Sequence, residues 1–335
     1  MPTKKLFFEE YWPVDIGRLR PKRSYDNMVN IRRERMAFFQ DDDGIVKAEL
    51  VEEVPCPICD SDAYDQTFVK EGFTFVQCKN CNLIYVNPCL KEEYVKQVYK
   101  HQSYSDIVKS LVGDSNDYRR ERFGKERVGI INHFLPEQPG PTRRLLDVGC
   151  ATGFFLEAAR ESGWDVYGVE PNPYMADFAQ KNGLNVRNET IEETTLPDSF
   201  FDAVALFELI EHVKNPLQII EKVYQLLRQG GMVFIYTPNF DCAERLIMGT
   251  DCHFIWGSNH LSYFTVDTLC YALERVGFAV EHYETQGLDM EDMIWYFEHT
   301  GKYDARFMKD FRHELQFLVN AGDWGKNLRM YARKP

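Results

Sequence analysis

The sequence predicts an α/β fold with a doubly wound, mostly parallel, seven-stranded sheet of Rossmann-like type, preceded by a small cysteine-rich module. Three observations support this prediction. Strand-like apolar runs alternate with helix-like segments from about residue 120 onward, a glycine-containing turn follows the first of these strands, and two Cys-x-x-Cys pairs lie upstream. Strands that alternate with helices in this way imply a parallel sheet with helices on both faces.

The individual elements follow from local patterns. Short apolar or β-branched runs predict strands at 144–148, 165–169, 185–187, 203–207, 232–236, 279–283 and 328–332. Helices are predicted at 154–162, 173–181, 216–228 and 266–276, several of them ended by Gly or Asn, with others around 91–100 and 117–134. Residues 240–264 and 286–325 break the alternation, so we expect insertions there near the carboxyl ends of the strands, where such folds bind ligands.

The chain divides into three regions and has no internal repeat. Residues 1–54 are an N-terminal extension rich in aromatic side chains, and residues 55–90 hold the cysteine pairs. Residues 91–335 are expected to form the α/β domain, with its core at about 120–335.

Charge and hydropathy exclude several classes of function. The 335 residues carry a formal net charge of −13, which disfavours nucleic acid as a partner because non-specific affinity for it rests on neutralising phosphates. The first 40 residues are locally basic, with nine Lys and Arg against five Asp and Glu. No run approaches the roughly 20 apolar residues of a membrane span, and no signal peptide is evident, so we expect a cytoplasmic protein.

The turn after the first strand is the most informative motif. Residues 144–156 read RLLDVGCATGFFL, which predicts a strand, a turn containing Gly149 and Gly153, and the start of a helix. Glycines let the backbone approach a ligand closely, and the helix start offers free N–H groups. Glu170 ends the next strand, where a carboxylate can accept hydrogen bonds from both ribose hydroxyls of an adenosine.

The glycine spacing distinguishes between adenosine cofactors. The dinucleotide pattern G-x-G-x-x-G would place Phe154 at its third glycine and therefore fails. The pattern acid-x-G-x-G-x-G fits from Asp147 to Gly153, with Ala151 as the only change, and it resembles motif I of the class I S-adenosylmethionine (SAM) methyltransferases. Later motifs of that family are matched in order by residues 170–172, 196–204, 207–213, 226–232, 260–265 and 273–278, so the resemblance covers about residues 120–335.

This resemblance implies a SAM-dependent methyltransferase and a set of cofactor-binding residues. They are grouped here by the part of SAM that each would contact. The methionine part would be bound by Asp147, Gly149, Cys150, Ala151, Gly153 and Phe154, the ribose by Glu170, Pro171 and Asn172, the adenine by Thr190 and Ile191, and the sulfonium region by Phe207 and Glu208.

The cysteine pairs predict a metal site. Cys56 and Cys59 are separated by 18 residues from Cys78 and Cys81, which falls within a known zinc spacing. Four thiolates complete a tetrahedral Zn²⁺ and leave no open position, so the predicted zinc ribbon is structural rather than catalytic.

Two histidines are candidate catalytic residues. A hydroxyl or carbon nucleophile benefits from a base tuned near neutral pH, and histidine is the residue best suited to this. His212 follows the fourth strand of the predicted domain, and His260 lies in the first insertion. We favour His260, with the alternative that it orders its loop through a backbone hydrogen bond. Glu211 is consistent with a solvated acid at a helix start.

The type of atom that accepts the methyl group can be narrowed by elimination. The fourth strand is followed by Glu208-Leu-Ile-Glu rather than Asn-Pro-Pro-Tyr or Pro-Cys, which favours oxygen, carbon or aliphatic nitrogen over planar nitrogen or cytosine carbon. Residues 78–88, CKNCNLIYVNP, resemble the second knuckle of bacterial sugar- and polysaccharide-associated methyltransferases, which implies a sugar or nucleotide-linked sugar as the small-molecule acceptor. The alternatives are an RNA methyltransferase that uses the ribbon for recognition and a non-catalytic scaffold with a SAM fold.

Overall fold

The computed structural model describes residues 13–19, 24–95, 114–136, 140 and 142–335. A seven-stranded sheet with the strand order β12-β13-β10-β9-β6-β7-β8 lies at its centre. Four of its six strand pairings are parallel, and the two that involve β13 are antiparallel. The predicted α/β class with a mostly parallel, seven-stranded sheet is therefore confirmed.

The strands and helices are numbered in chain order. The strands are β1 (Val51–Glu52), β2 (Tyr64–Lys70), β3 (Phe73–Cys78), β4 (Ile84–Val86), β5 (Cys89–Leu90), β6 (Arg144–Val148), β7 (Asp165–Val169), β8 (Asn185–Arg187), β9 (Phe201–Phe207), β10 (Leu227–Pro238), β11 (Ser262–Tyr263), β12 (Ala279–Gln286) and β13 (Asn327–Arg333). The helices are α1 (Ile16–Leu19), α2 (Ser24–Phe39), α3 (Asp114–Arg119), α4 (Lys125–Phe134), α5 (Phe154–Glu161), α6 (Pro173–Lys181), α7 (Pro216–Leu226), α8 (Ala243–Met248), α9 (Val266–Val276), α10 (Asp289–Thr300), α11 (Arg306–Asp310) and α12 (Arg312–Ala321).

All seven strands predicted for the main sheet are present. One strand and two helices differ from their predicted bounds or lie partly outside the described residues. Strand β10 starts five residues before the predicted 232–236 segment, because Leu227 already pairs with Phe201 ahead of an irregularity in the register. The helix expected around 117–134 is interrupted by a π-helical turn at Arg120–Gly124. Of the helix expected around 91–100, residues 96–100 lie outside the described part of the chain.

The sheet buries both faces, as its apolar strands require. Strand β9 is buried over its first six residues and β10 over its last eight. One hydrophobic cluster joins β9 and β10 to α7 and α9, and a second joins the sheet to α4 and α5. No helix among the described residues combines the length and apolarity needed to cross a membrane.

The cysteine-rich module and the first insertion form a second sheet together. Strands β2 and β3 form an antiparallel hairpin, and β4 extends it. The insertion then adds β11, whose Ser262 pairs with Tyr85 of β4. Side chains from α2, from the ribbon and from the insertion share one hydrophobic cluster. The loop that carries His260 is therefore held by parts of the chain some 200 residues upstream.

Gly168 in β7 offers a test of the packing beneath the site. A Cβ there would lie 2.7 Å from Cys150 Sγ and 2.9 Å from Leu156 Cδ1. We expect Gly168→Ala to lower the free energy of unfolding by about 1–3 kcal/mol because it overpacks this contact.

The matched control is Gly129 in α4, which is exposed and whose added Cβ would have no neighbour within 4 Å. Gly129→Ala is expected to stabilise the protein by about 0.5–1 kcal/mol through helix propensity. Denaturant unfolding of both variants measures this, and equal stability of the two would contradict the packing argument.

Candidate active site

The glycine turn between β6 and α5 forms the floor of the site. The backbone N–H groups of Gly149 and Cys150 donate to Val169 O, at 2.8 and 3.2 Å, and tie the turn to β7. Gly149, Ala151 and Gly153 all have positive φ, at 74°, 48° and 83°. A Cβ at Gly153 would lie 2.3 Å from Leu184 Cδ1. Glycine is therefore required at 153 by both backbone conformation and space, while Ala151 adopts the left-handed conformation where the family pattern has glycine.

Glu170 joins the glycine turn to the end of the neighbouring strand. One carboxylate oxygen accepts from Ala151 N at 2.9 Å and the other from Asn172 N at 2.8 Å. The residue is buried, and desolvation raises the pKa of its carboxyl to about 7, although the two N–H donors oppose that shift. A buried carboxylate thus lies against the turn, where its remaining lone pairs can accept from a ligand.

Asp147, the next-to-last residue of β6, is a second buried acid beside this turn. Desolvation raises its pKa to about 8, the Arg127 guanidinium opposes the rise, and the Glu170 carboxyl adds to it. Arg127 comes from α4, and its guanidinium lies 4.3 Å from the Phe207 ring centroid and 5.3 Å from that of Tyr236. Sequence reasoning missed Arg127, since nothing in its local pattern separates it from the other charged residues of α4.

The end of β9 carries the two residues expected near the sulfonium. The Phe207 ring packs against Phe155 and Tyr236, with centroids 4.9 and 4.5 Å apart. Glu208 has a positive φ of 55° as the chain leaves the strand. Its Oε1 accepts from Asn327 Nδ2 at 2.7 Å. Asn327 begins β13, so the antiparallel strand supplies a site residue that no motif indicated.

Glu211 is not the solvated acid at a helix start that the sequence suggested. It lies in a turn, is only 1% exposed, and accepts a hydrogen bond from the Thr237 hydroxyl at 2.9 Å. Desolvation raises the pKa of its carboxyl to about 7. The interpretation was wrong because residues 208–213 form a tight connection against β10 before α7 begins.

The structure brings His212 and His260 together. Their ring centroids are 4.7 Å apart although 48 positions separate them in sequence. His212 Nδ1 donates to Asn259 O at 2.8 Å, and His260 Nδ1 donates to Phe254 O at 2.7 Å. Desolvation lowers the pKa of His212 and lowers that of His260 strongly, so both rings are neutral near pH 7. The loop-ordering hydrogen bond considered for His260 is present.

Other predicted cofactor residues lie close to Glu170 and the glycine turn. Asn172 caps α6 through its side chain, which accepts from Tyr174 N and Met175 N. Asn188 donates to Glu170 O at 2.8 Å and holds the loop before Thr190 and Ile191 beside the end of β7. Ile191 is buried, Thr190 and Pro171 are half-buried, and the Cys150 side chain is buried under the turn.

The four cysteines of the ribbon also come together. Their sulfur atoms all lie within 4.8 Å of one another, and the Cys56–Cys81 and Cys59–Cys78 distances are both 3.4 Å. Four sulfurs at about 2.3 Å from one ion would lie roughly 3.8 Å apart. The donor set and its dimensions therefore fit a tetrahedral zinc ion.

Comparison with known families identifies the central part of the chain. Residues 118–283 match the model of a family described as a methyltransferase domain. This range includes the glycine turn, Glu170 and both histidines of the site.

Curated relatives match over part of their length. The chain is 35% identical to the ubiquinone biosynthesis O-methyltransferase of Actinobacillus pleuropneumoniae over 108 residues, which cover 29% of this chain and 46% of that protein. It is 33% identical to the enzyme of the same name from Cereibacter sphaeroides over 129 residues, covering 37% of this chain and 51% of that protein. The chain thus spans about half the length of the curated relatives that it matches.

Among solved structures, the fold is similar to a chain in the complex of the Haloferax volcanii Trm112 methyltransferase activator with a methyltransferase. The TM-score is 0.51 at 16% identity, covering 72% of this chain and 97% of that one. This similarity concerns the fold alone. The family match over residues 118–283 and the curated relatives support a SAM-dependent methyltransferase domain in this part of the chain.

Proposed function

We propose that this protein transfers a methyl group from SAM to a hydroxyl oxygen of a small molecule. One observation carries the proposal: the glycine turn after β6 and the buried Glu170 directly after β7 meet at the carboxyl end of the sheet, joined by a 2.9 Å hydrogen bond. A parallel sheet binds nucleotide-like ligands at that edge. SAM would supply an activated methyl group, and the chain's residues would position it and its acceptor.

The charges at this edge suit the two ends of the cofactor. Glu170 is placed to accept from the ribose hydroxyls. Asp147 would face the ammonium of the methionine part, and the Arg127 guanidinium beside it would face the carboxylate. The Phe207 ring lies 4.3 Å from the Arg127 guanidinium and would border the sulfonium region of the cofactor.

The acceptor oxygen would lie on the side of Glu208, His212 and His260. Methyl transfer is an in-line displacement in which the new C–O bond forms as the C–S bond breaks, so much of the rate comes from positioning. His260 and His212 are the candidate proton acceptors for the hydroxyl, because each ring is neutral and uses Nδ1 as a donor, which leaves Nε2 with a lone pair.

Two acceptor classes follow from different observations. The curated relatives are named for O-methylation in ubiquinone biosynthesis, and the identity to them extends over 108 and 129 residues. The resemblance to sugar-modifying enzymes rests on residues 78–88 alone. We therefore favour a hydroxyl of a molecule in ubiquinone biosynthesis over a sugar or nucleotide-linked sugar. Assays with methyl-labelled SAM against both pools of small molecules, with RNA as a third, test this choice.

Glu170→Gln tests the cofactor site. The substitution keeps the size of the side chain but removes its charge and turns an amide N–H toward the N–H of Ala151 or Asn172. Since hydrogen bonds to a charged group contribute about 1.5–3 kcal/mol, we expect the dissociation constant for SAM to rise about tenfold to a hundredfold. Isothermal titration calorimetry measures it.

Glu192→Gln, an exposed substitution on a neighbouring loop, is the matched control and should bind SAM as the wild type does. Unchanged SAM affinity in folded Glu170→Gln would refute the ribose assignment.

Asp147→Asn tests the buried charge through pH. The folded-state pKa of Asp147 lies near 8, above its ordinary 3.8, so the folded protein keeps a proton that the unfolded chain releases. This residue therefore lowers stability progressively as pH rises from about 4 to 8. Relative to wild type, Asp147→Asn should gain at least about 1 kcal/mol in free energy of unfolding between pH 5 and pH 8.

Denaturant unfolding without SAM at the two pH values measures this gain. The exposed Asp198→Asn variant should show no such gain, and an equal pH response of both variants would remove the buried-charge explanation.

We also propose that Cys56, Cys59, Cys78 and Cys81 hold a structural zinc ion. Zinc sites of this kind contribute directly to folding, so Cys59→Ser should lower both zinc content and thermal stability. In cobalt-substituted protein, sulfur-to-cobalt charge-transfer absorption should be present in the wild type and in Cys270→Ser, whose cysteine lies on α9 outside the cluster. The same absorption in Cys59→Ser as in wild type would exclude the four-cysteine assignment.

A further inference from the structure

Helix α8 and the second insertion expose a large apolar surface. Thirteen large hydrophobic side chains are exposed among the described residues. Six of them lie on α8, on α11 or at α12 and its ends, and we call this set the apolar face: Leu246, Ile247, Phe307, Phe311, Leu318 and Trp324. Phe307 is 64% exposed and Leu318 is 62% exposed. Exposed apolar side chains concentrated in one region mark an interaction site.

These side chains lie on elements that contact one another. The ring centroids of Phe307 and Phe311 are 5.1 Å apart. Leu318 follows Phe311 by about two helical turns, so both lie on one side of α12. Trp324 lies just beyond α12, and its carbonyl oxygen accepts a hydrogen bond at 2.8 Å from the N–H of Ala243, where α8 begins. The six side chains therefore belong to one region of the surface.

The apolar stripe of α12 is wider than the part that the fold covers. Phe311, Leu315, Leu318 and Val319 follow the spacing of a single amphipathic stripe. Leu315 and Val319 pack against the buried core of α10. Phe311 and Leu318 lie beside them on the same helix and remain exposed. Because an amphipathic helix buries its apolar stripe, the uncovered part indicates a second surface that packs on it.

The charges around the apolar face disfavour an anionic partner. Every Lys and Arg of residues 302–312 pairs with an acid of the same chain: Lys302 with Asp251, Arg306 with Asp304, Lys309 with Glu298 and Arg312 with Glu291. Asp310 and Glu314 add exposed negative charge. Anionic membranes and nucleic acids are bound through Lys and Arg that face their phosphates. The partner surface should therefore be apolar with its own cations already paired, and the same face of a second copy has both properties.

The size of the apolar face suits a dimer. At roughly 200 Å² for a large side chain, six that are about half exposed present on the order of 600 Å² of apolar surface. An interface of standard size buries about 800 Å² on each partner, and somewhat more than half of it is apolar. The apolar face and its charged rim would reach that size if the face were paired with itself across a two-fold axis.

We propose that the apolar face pairs with the same face of a second copy of this chain and forms a two-fold symmetric dimer. This inference is independent of the proposed function, because it rests on the surface of α8, α11 and α12 alone. The dimer would also hold the acceptor side of the site in each copy. Trp324 lies three positions before Asn327, whose side chain donates to Glu208.

Sedimentation equilibrium of the full-length, zinc-loaded protein across the micromolar range tests the dimer. We expect the wild type to approach the mass of two chains as its concentration rises. Phe307→Asp and Leu318→Asp each place a charge within the buried face, so each should raise the dimer dissociation constant by at least about tenfold. Both positions are exposed in the single chain, so thermal unfolding of the monomer should change little. Ile45→Asp, at a residue that is 58% exposed in the loop after α2, is the matched control and should dimerise as the wild type does.

Salt and vesicles separate this dimer from other occupants of the face. The chain carries a net charge of −13, and salt screens the repulsion between two copies, so the dimer should be at least as strong at high salt. Flotation with vesicles of anionic phospholipid tests a membrane surface instead. The proposal is overturned if the wild type stays monomeric throughout the range, if folded Phe307→Asp and Leu318→Asp dimerise as the wild type does, if salt weakens the dimer, or if monomeric protein binds the vesicles through these two residues.

Discussion

The site depends on the contact between the buried Glu170 carboxylate and the N–H group of Ala151 in the glycine turn. This contact fixes the turn against the end of β7 and holds a carboxylate at the carboxyl end of the parallel strands. The turn adopts positive φ at Gly149, Ala151 and Gly153, which is unfavourable for most residues, and the hydrogen bonds from Ala151 and to Val169 compensate for it. The conformation of the turn and the position of the carboxylate therefore depend on each other.

Several buried carboxyl groups lie in the same region as this contact. The pKa values of Asp147, Glu170 and Glu211 are all raised by desolvation, to about 8, 7 and 7. Each of these groups would be stabilised in its ionised form by a nearby cation. A cationic sulfonium bound at this edge of the sheet would supply such charge, in addition to the Arg127 guanidinium that already opposes the rise in the pKa of Asp147.

Regions that precede the matched methyltransferase domain in the chain hold the loop that carries His260. Arg32 of α2 donates to His253 O and Ile255 O, at 3.0 and 2.8 Å, and its guanidinium lies 5.4 Å from the Trp256 ring. The pairing of β11 with β4 attaches the next part of the same loop to the ribbon. The N-terminal extension and the ribbon therefore have a shared structural role, which is to hold the loop that carries His260 over the strand ends.

The sequence by itself determined the fold class, the strand order along the chain, the glycine turn, the acid at 170 and the four-cysteine cluster. These features depend on local patterns and on spacings that short segments preserve. Only the tertiary structure decided that Glu211 is buried, that His212 and His260 meet, and that Arg127 and Asn327 reach the site. Each of those outcomes is a contact between distant segments, set by how helices and insertions pack on the sheet, and no local pattern of residues encodes it.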